Sequence, residues 1–254
     1  MKVALCLSGH FRTFLLCKDS LLSNFILEYN PDIFIHTWDN LGFGRNGTNG
    51  GNNISKWTGN DMEIINTNSV YGNSRIEFYR NSPALDDIYK CLNPKEIVIE
   101  TYEDVEKDIL ELSANINNKF PYDYPVNIIS LWRKKYLCNE LKRQYEINNN
   151  FKYDIVVSTR PDIQYFTKLC LTLNNKIITP SAQSYGAISD LFGYSSSNDM
   201  DIYCSLYTKI REYNDQHVHF NPHVLLVHHL KVHGLEFIID PQLNIDVNKN
   251  LSAY

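Results

Sequence analysis

An arginine and a carboxylate two residues apart, Arg160 and Asp162, follow the β-branched run Ile155-Val156-Val157, with Pro161 between them. Such a run reads as a strand buried on both faces. Proline ends the strand's part in the ladder because it has no N–H to donate. The pair is therefore expected at the carboxyl end of a central strand, the edge at which open α/β sheets bind ligands. An ordinary ion pair closing a strand end is the plainer alternative.

Other chemistry-bearing residues fall at similar breaks. The apolar run Val3 to Leu7 stops at Ser8-Gly9-His10, and Gly9 permits a sharp turn or a positive φ. Phe14, Leu15, Leu22, Phe25 and Ile26 then recur at helical spacing, so Ser8, His10, Arg12 and Thr13 stand at a strand–helix junction. Backbone N–H groups at a helix start, together with Arg12, make a candidate anion or nucleotide site. The glycines of a P-loop or of a G-x-G-x-x-G dinucleotide loop are missing. Asp32 to Asp39 reads as a second strand with His36, Trp38 and Asp39 at its end; His36 is either a ligand contact or a hydrogen-bonded strand-end histidine.

Asp190 stands in the Gly186–Gly193 segment beside Phe192, as a candidate general base or as a cap or turn residue. Six of the 8 histidines fall between His217 and His233, and His229 and His233 share a face if that stretch is helical. No H-E-x-x-H or matching cysteine spacing accompanies them, so a dedicated zinc site is not expected. One of these histidines joining Asp162 around a divalent ion is the sharper expectation.

The elements that must position these groups alternate. Strand, helix and strand in the first forty residues make a βαβ start to a parallel sheet. Lys95–Glu100 reads as a strand, Asp104–Leu112 as an acidic helix, and Ser130 as the cap of a long helix running to about Asn148. Arg133, Lys134, Lys135, Lys142 and Arg143 make that helix basic: either a solvated surface or a source of one phosphate contact. Lys176–Thr179 reads as a further strand, and Met200, Tyr203, Tyr207 and Ile210 as a helix. Gly42 to Asn53 is a Gly/Asn-rich loop, a lid or a plain connection. The expected fold is a single α/β domain.

Composition fits this class. The chain has 254 residues, 43% hydrophobic and 21% charged. A net charge of -5 argues against a general nucleic-acid binder. The 6 cysteines are scattered without C-x-x-C, as buried free thiols of a reducing compartment would be. No signal peptide and no apolar run of membrane-spanning length is visible, so a cytoplasmic protein is expected.

Taken in order, V-A-L-C-L-S-G-H-F-R at 3–12, D-I-F-I-H-T-W at 32–38, S-L-W-R-K-K-Y at 130–136 and Y-D-I-V-V-S-T-R-P-D at 153–162 resemble a family of glycosyltransferases. That family occurs in bacterial surface-polysaccharide clusters and large DNA viruses. D-L-F-G-Y-S-S-S-N-D-M-D-I-Y at 190–203 and N-P-H-V-L-L at 221–226 extend the likeness, which covers most of the chain except about 40–125.

The resemblance implies one GT-A-like, Rossmann-like domain over residues 1–254, with a mostly parallel central sheet flanked by helices. Residues 1–165 would form the nucleotide-sugar donor half and 166–254 the acceptor half. It implies transfer of a sugar, from a UDP-sugar or a related donor, to a glycan or other hydroxyl acceptor in the cytoplasm (the host's, if viral). Ser8, Gly9, Arg12, Asp39, Trp132, Lys135 and Arg160 would line the donor pocket, and Asp190 would be the general base. In such enzymes a D-x-D triplet holds Mn²⁺ or Mg²⁺ against the donor diphosphate. Here the triplet is Arg160-Pro161-Asp162 and its first acid is absent. Either Asp162, with His229, anchors a hydrated ion, or Arg160 neutralises the diphosphate directly. The alternatives are a non-catalytic nucleotide-sugar or carbohydrate-binding module with a degenerate metal site and, less favoured, a nucleotidyl- or phosphotransferase.

Overall fold

The computed structural model describes residues 1–11, 13–39, 56–58, 61–63, 84–117, 124–183 and 186–247. Arg12 and the Gly42–Asn53 loop lie outside them. A seven-stranded sheet runs through the molecule in the order β12-β8-β11-β6-β1-β2-β5. Its strands are β1 (Val3–Ser8), β2 (Asp32–Trp38), β5 (Glu96–Glu100), β6 (Ile155–Thr159), β8 (Ile177–Thr179), β11 (Phe192–Ser195) and β12 (Phe237–Ile239). All neighbouring pairs are parallel except those of β11, which is antiparallel to both β6 and β8. The result is a mostly parallel, Rossmann-like sheet. Short antiparallel pairs join β3 (Lys56–Thr58) to β4 (Asp61–Glu63), β7 (Ile163–Tyr165) to β13 (Ile245–Val247), and β9 (Ala182–Gln183) to β10 (Ala187–Ile188).

Strand alternation sends side chains to two apolar layers. Val3, Leu5, Leu7, Ile33, Ile35, Ile155 and Val157 pack with α1 (Phe14–Leu21) and α2 (Leu85–Leu92). Ala4, Cys6, Phe34, Trp38 and Val156 pack with the helices of the other layer. Those are α3 (Tyr102–Ala114), α4 (Pro125–Asn149), α5 (Ser197–Cys204), α6 (Ile210–Asp215) and α7 (Pro222–Val232). Both faces are covered, which is why the strands read as unbroken apolar runs. The cysteines are free thiols, with Cys6, Cys17, Cys138 and Cys204 buried. Among the described residues no helix is long and apolar enough to cross a membrane.

Helix α4 starts earlier than its sequence signals suggest. Pro125 occupies the first turn, where its missing N–H costs nothing, and Ser130 is an interior residue rather than a cap. Nor is most of its basic surface solvated: Lys134, Lys135 and Lys142 are all buried, and of the five cations Arg143 is the most exposed, its side chain 43% exposed. Lys142 Nζ lies 2.6 Å from Asp201 Oδ1, 2.7 Å from Ser197 Oγ and 3.2 Å from Glu146 Oε2, tying α4 to α5.

The β11 strand accepts α5 at one glycine. A Cβ on Gly193 would stand 3.2 Å from the ring of Tyr203, tighter than most packed Cβ contacts, so the ring would have to give by a few tenths of an ångström. Gly193 pairs with Ser158 of β6, so the tyrosine ring lies over the strand end that carries the candidate site. Gly193→Ala is expected to push α5 away and to cost about 1–3 kcal/mol, as overpacking does. Urea unfolding of the variant measures it, and an unchanged midpoint would show that the ring moves freely.

Candidate active site at the carboxyl edge of the sheet

The chain leaves β1 outward through β2 to β5, then returns along α4 to β6 on the other side of β1. Strand order reverses between β1 and β6, and at that point open α/β sheets form their ligand crevice. Ser8 ends β1 and Arg160 follows β6 directly, so the two flank the crevice. Register sets what lies beneath α4: Ser8 pairs with His36, Cys6 with Ser158, and Ser158 with Gly193. Gly9, at φ 107°, turns the chain away while its N–H donates to the His36 carbonyl at 3.2 Å. Glycine adopts that φ without a Cβ penalty.

Two adjacent lysines of α4 diverge to different groups. Lys135 Nζ lies 3.3 Å from Ser158 Oγ, between the rings of Trp132 at 5.9 Å and Tyr203 at 5.8 Å. Burial pulls its pKa below the ordinary lysine value, opposed in part by Asp190. Lys134 turns toward β2 and β5. Its Nζ is 2.7 Å from Glu100 Oε2, 3.0 Å from the Thr37 carbonyl, 3.2 Å from His36 Nδ1 and 3.4 Å from the centre of the Trp38 ring. Burial brings Lys134 down to about 7 against the pull of Glu100.

The Arg160–Asp162 pair forms a fork. Nε donates to Oδ1 at 2.8 Å and Nη2 to Oδ2 at 2.6 Å. The fork leaves Nη1 as the guanidinium nitrogen for a ligand. The Asp162 side chain is 4% exposed and that of Arg160 21%, so the cation is the member facing outward. Asp190, just before β11, brings its Oδ1 to 3.1 Å from His223 Nδ1. His223 lies in the first turn of α7, where Asn221 caps the helix by accepting from the His223 and Val224 N–H groups. Burial alone would raise the Asp190 pKa; His223, Lys135 and Arg160 outweigh it and hold the carboxyl below its ordinary value.

Lys135, Arg160, Asp162, Asp190 and His223 thus form one electrostatic cluster at the mouth of the β1–β6 crevice. Asp39 belongs to the neighbouring group. Its N–H donates to the Glu100 carbonyl at 2.9 Å, and its charge acts on Lys134. Trp132 is fully buried under Lys135, with its ring 5.7 Å from Tyr203, so it shapes the floor rather than the opening. His229 stands apart. Its Nε2 donates to the Ile202 carbonyl at 2.7 Å, its Nδ1 accepts from the Tyr213 hydroxyl at 2.7 Å, and none of its contacts is with Asp162. Burial takes it down to about 4.

Among the described residues no three His, Cys, Asp or Glu side chains converge as a metal-ion cage. More directly, both Asp162 oxygens accept from Arg160 and both His229 nitrogens have protein partners. As arranged, these two residues do not fit a divalent ion held between them.

Sequence reasoning placed Lys134 only among the cations of a basic helix and Tyr203 only on a helix, and gave Ser158 and His223 no role. The Asn221-Pro222 start signal was available to place His223 in a helix's first turn. Nothing local pointed that turn at Asp190. No protein-family model matches the chain, and no curated protein matches it.

Proposed function

We propose that this protein is a glycosyltransferase that takes a sugar from a nucleotide-linked donor, a UDP-sugar or a related one, and passes it to a hydroxyl acceptor of a glycan. The observation that carries the reading is the meeting of two cations and an Asp–His pair at the β1–β6 switch point. A departing nucleoside diphosphate develops negative charge, and fixed cations at its oxygens lower the barrier. Arg160 has Nε and Nη2 on Asp162 and keeps Nη1 for a phosphate oxygen, while Lys135 adds a buried cation nearby. An acceptor hydroxyl must lose its proton as it attacks, and the Asp190–His223 pair supplies the base. Because Asp162 is committed to Arg160, no step is routed through a metal ion. The free thiols suit a reducing compartment such as the cytoplasm.

Nucleoside-diphosphate release from a panel of UDP-, GDP- and dTDP-hexoses, with Mn²⁺, Mg²⁺ or EDTA, tests this reading. Slow release from one donor, retained in EDTA, is expected. Release abolished by EDTA would return a metal ion to the mechanism. Donor binding without release across a broad acceptor panel would replace transfer by a nucleotide-sugar-binding module, and pyrophosphate release would indicate nucleotidyl transfer.

A further inference from the structure

We infer that the proton acceptor of the transfer reaction is His223, and that Asp190 is a positioning residue behind it rather than the base itself. The inference rests on the glycosyltransferase reading and assigns its acid–base residue. Four observations carry it. The imidazole and the carboxylate are 3.1 Å apart through Nδ1 and Oδ1, so the carboxylate charge acts on the Nδ1 side of the ring, favours a proton there and leaves Nε2 as the basic nitrogen. The His223 side chain is 27% exposed against 7% for Asp190, so an acceptor arriving from solvent meets the ring first. Asp190 faces cations on three elements: Arg160 after β6, Lys135 of α4 and, when protonated, His223 of α7. A carboxylate so surrounded holds its charge and is a weak base, but it is well suited to orient an imidazole and stabilise an imidazolium. Finally, Asn221 and Pro222 fix the first turn of α7, so the ring is carried on a capped helix rather than a free loop.

In the step itself the acceptor oxygen attacks the anomeric carbon and its proton passes to His223 Nε2. The bond from the anomeric carbon to the diphosphate oxygen breaks, and the nucleoside diphosphate leaves with the electron pair. The imidazolium, facing Asp190, then returns its proton to water. Asp190 faces the ring and favours its charged form, while the N-terminal end of α7 opposes it; Arg160 and Lys135 act in turn on Asp190.

The test uses the full chain and the hexose donor that the panel identifies. His223→Ala is expected to lower kcat by roughly 100-fold or more while leaving donor Kd unchanged, and added imidazole should restore part of the rate. His223→Gln, which preserves polarity and bulk, should remove the acid limb of the pH–rate profile. Asp190→Asn should keep that limb but move it to lower pH by roughly one unit, because the imidazolium loses its carboxylate. A limb that survives in His223→Gln and vanishes in Asp190→Asn would make Asp190 the base and overturn the assignment, as would full turnover in His223→Ala. Parent protein that neither binds nor turns over any donor sinks the transferase reading first, and this assignment with it. An NMR titration of His223 in the parent and in Asp190→Asn tests the pairing without turnover: a lower pKa in the variant supports it, and identical curves refute it.

Discussion

Arg160→Ala is expected to lose donor affinity by roughly 10- to 100-fold, the value of one charge-assisted hydrogen bond to a phosphate oxygen at about 1.5–3 kcal/mol. The same substitution should also destabilise the fold. It strands Asp162, whose side chain is 4% exposed and whose two oxygens both accept from the guanidinium. Removing one partner of a buried pair costs about 3 kcal/mol or more. The two effects separate in the double variant Arg160→Ala/Asp162→Asn. Replacing the stranded carboxylate by a neutral amide should recover most of the lost stability, whereas donor affinity should stay low because no cation has returned. Isothermal titration with UDP, beside urea unfolding of the parent, both single variants and the double, gives the full cycle. If affinity recovers together with stability, Arg160 acts only by holding the strand end in shape, and its contact with the diphosphate falls.

How the site was legible follows from what is local about it. Ser8-Gly9 and Arg160-Pro161-Asp162 announce themselves because a glycine and a proline interrupt apolar runs, and both stand at strand ends in the structure. The alternating faces of β1, β2 and β6 were hidden, since a strand covered on both sides carries apolar residues at every position. Ser8, His36 and Ser158 therefore looked unrelated until the register placed them under α4. The lysines of α4 were misjudged for a related reason. A basic helix is ordinarily solvated, but the partners that allow these lysines to be buried, Glu100 for Lys134 and Asp201 and Glu146 for Lys142, lie mostly on other elements. Pairing of Asp190 with His223 joins a loop to a helix start more than thirty residues later, and no spacing rule reaches across that gap.

The second large effect expected is loss of the fold in mild acid. His36 and His229 are both buried and both neutral. Burial takes His36 from 6.5 down to about 3, with Lys134 adding to the shift, and takes His229 from 6.5 down to about 4. Between those values and 6.5 the unfolded chain binds two protons that the native protein refuses. Stability therefore rises with pH across that window and falls as pH drops through it. At full slope each histidine contributes about 1.4 kcal/mol per pH unit, so a drop of two units approaches the whole stability of an ordinary domain. Lys134 adds nothing on this side, because below about 7 it is charged in both states; its own contribution lies between 7 and 10.5, where stability again rises with pH. Urea midpoints measured from about pH 4.5 to pH 9 should climb throughout the acid range and keep climbing past neutrality. His36→Asn offers Lys134 an amide oxygen in place of Nδ1, and His229→Gln offers the Ile202 carbonyl an amide N–H in place of Nε2. Each should remove about half of the acid slope, whatever it costs at pH 7. A parent protein whose midpoint is flat down to about pH 4.5 would mean that both rings take up their protons without unfolding, and that the contacts around Lys134 and Tyr213 yield more easily than their burial implies.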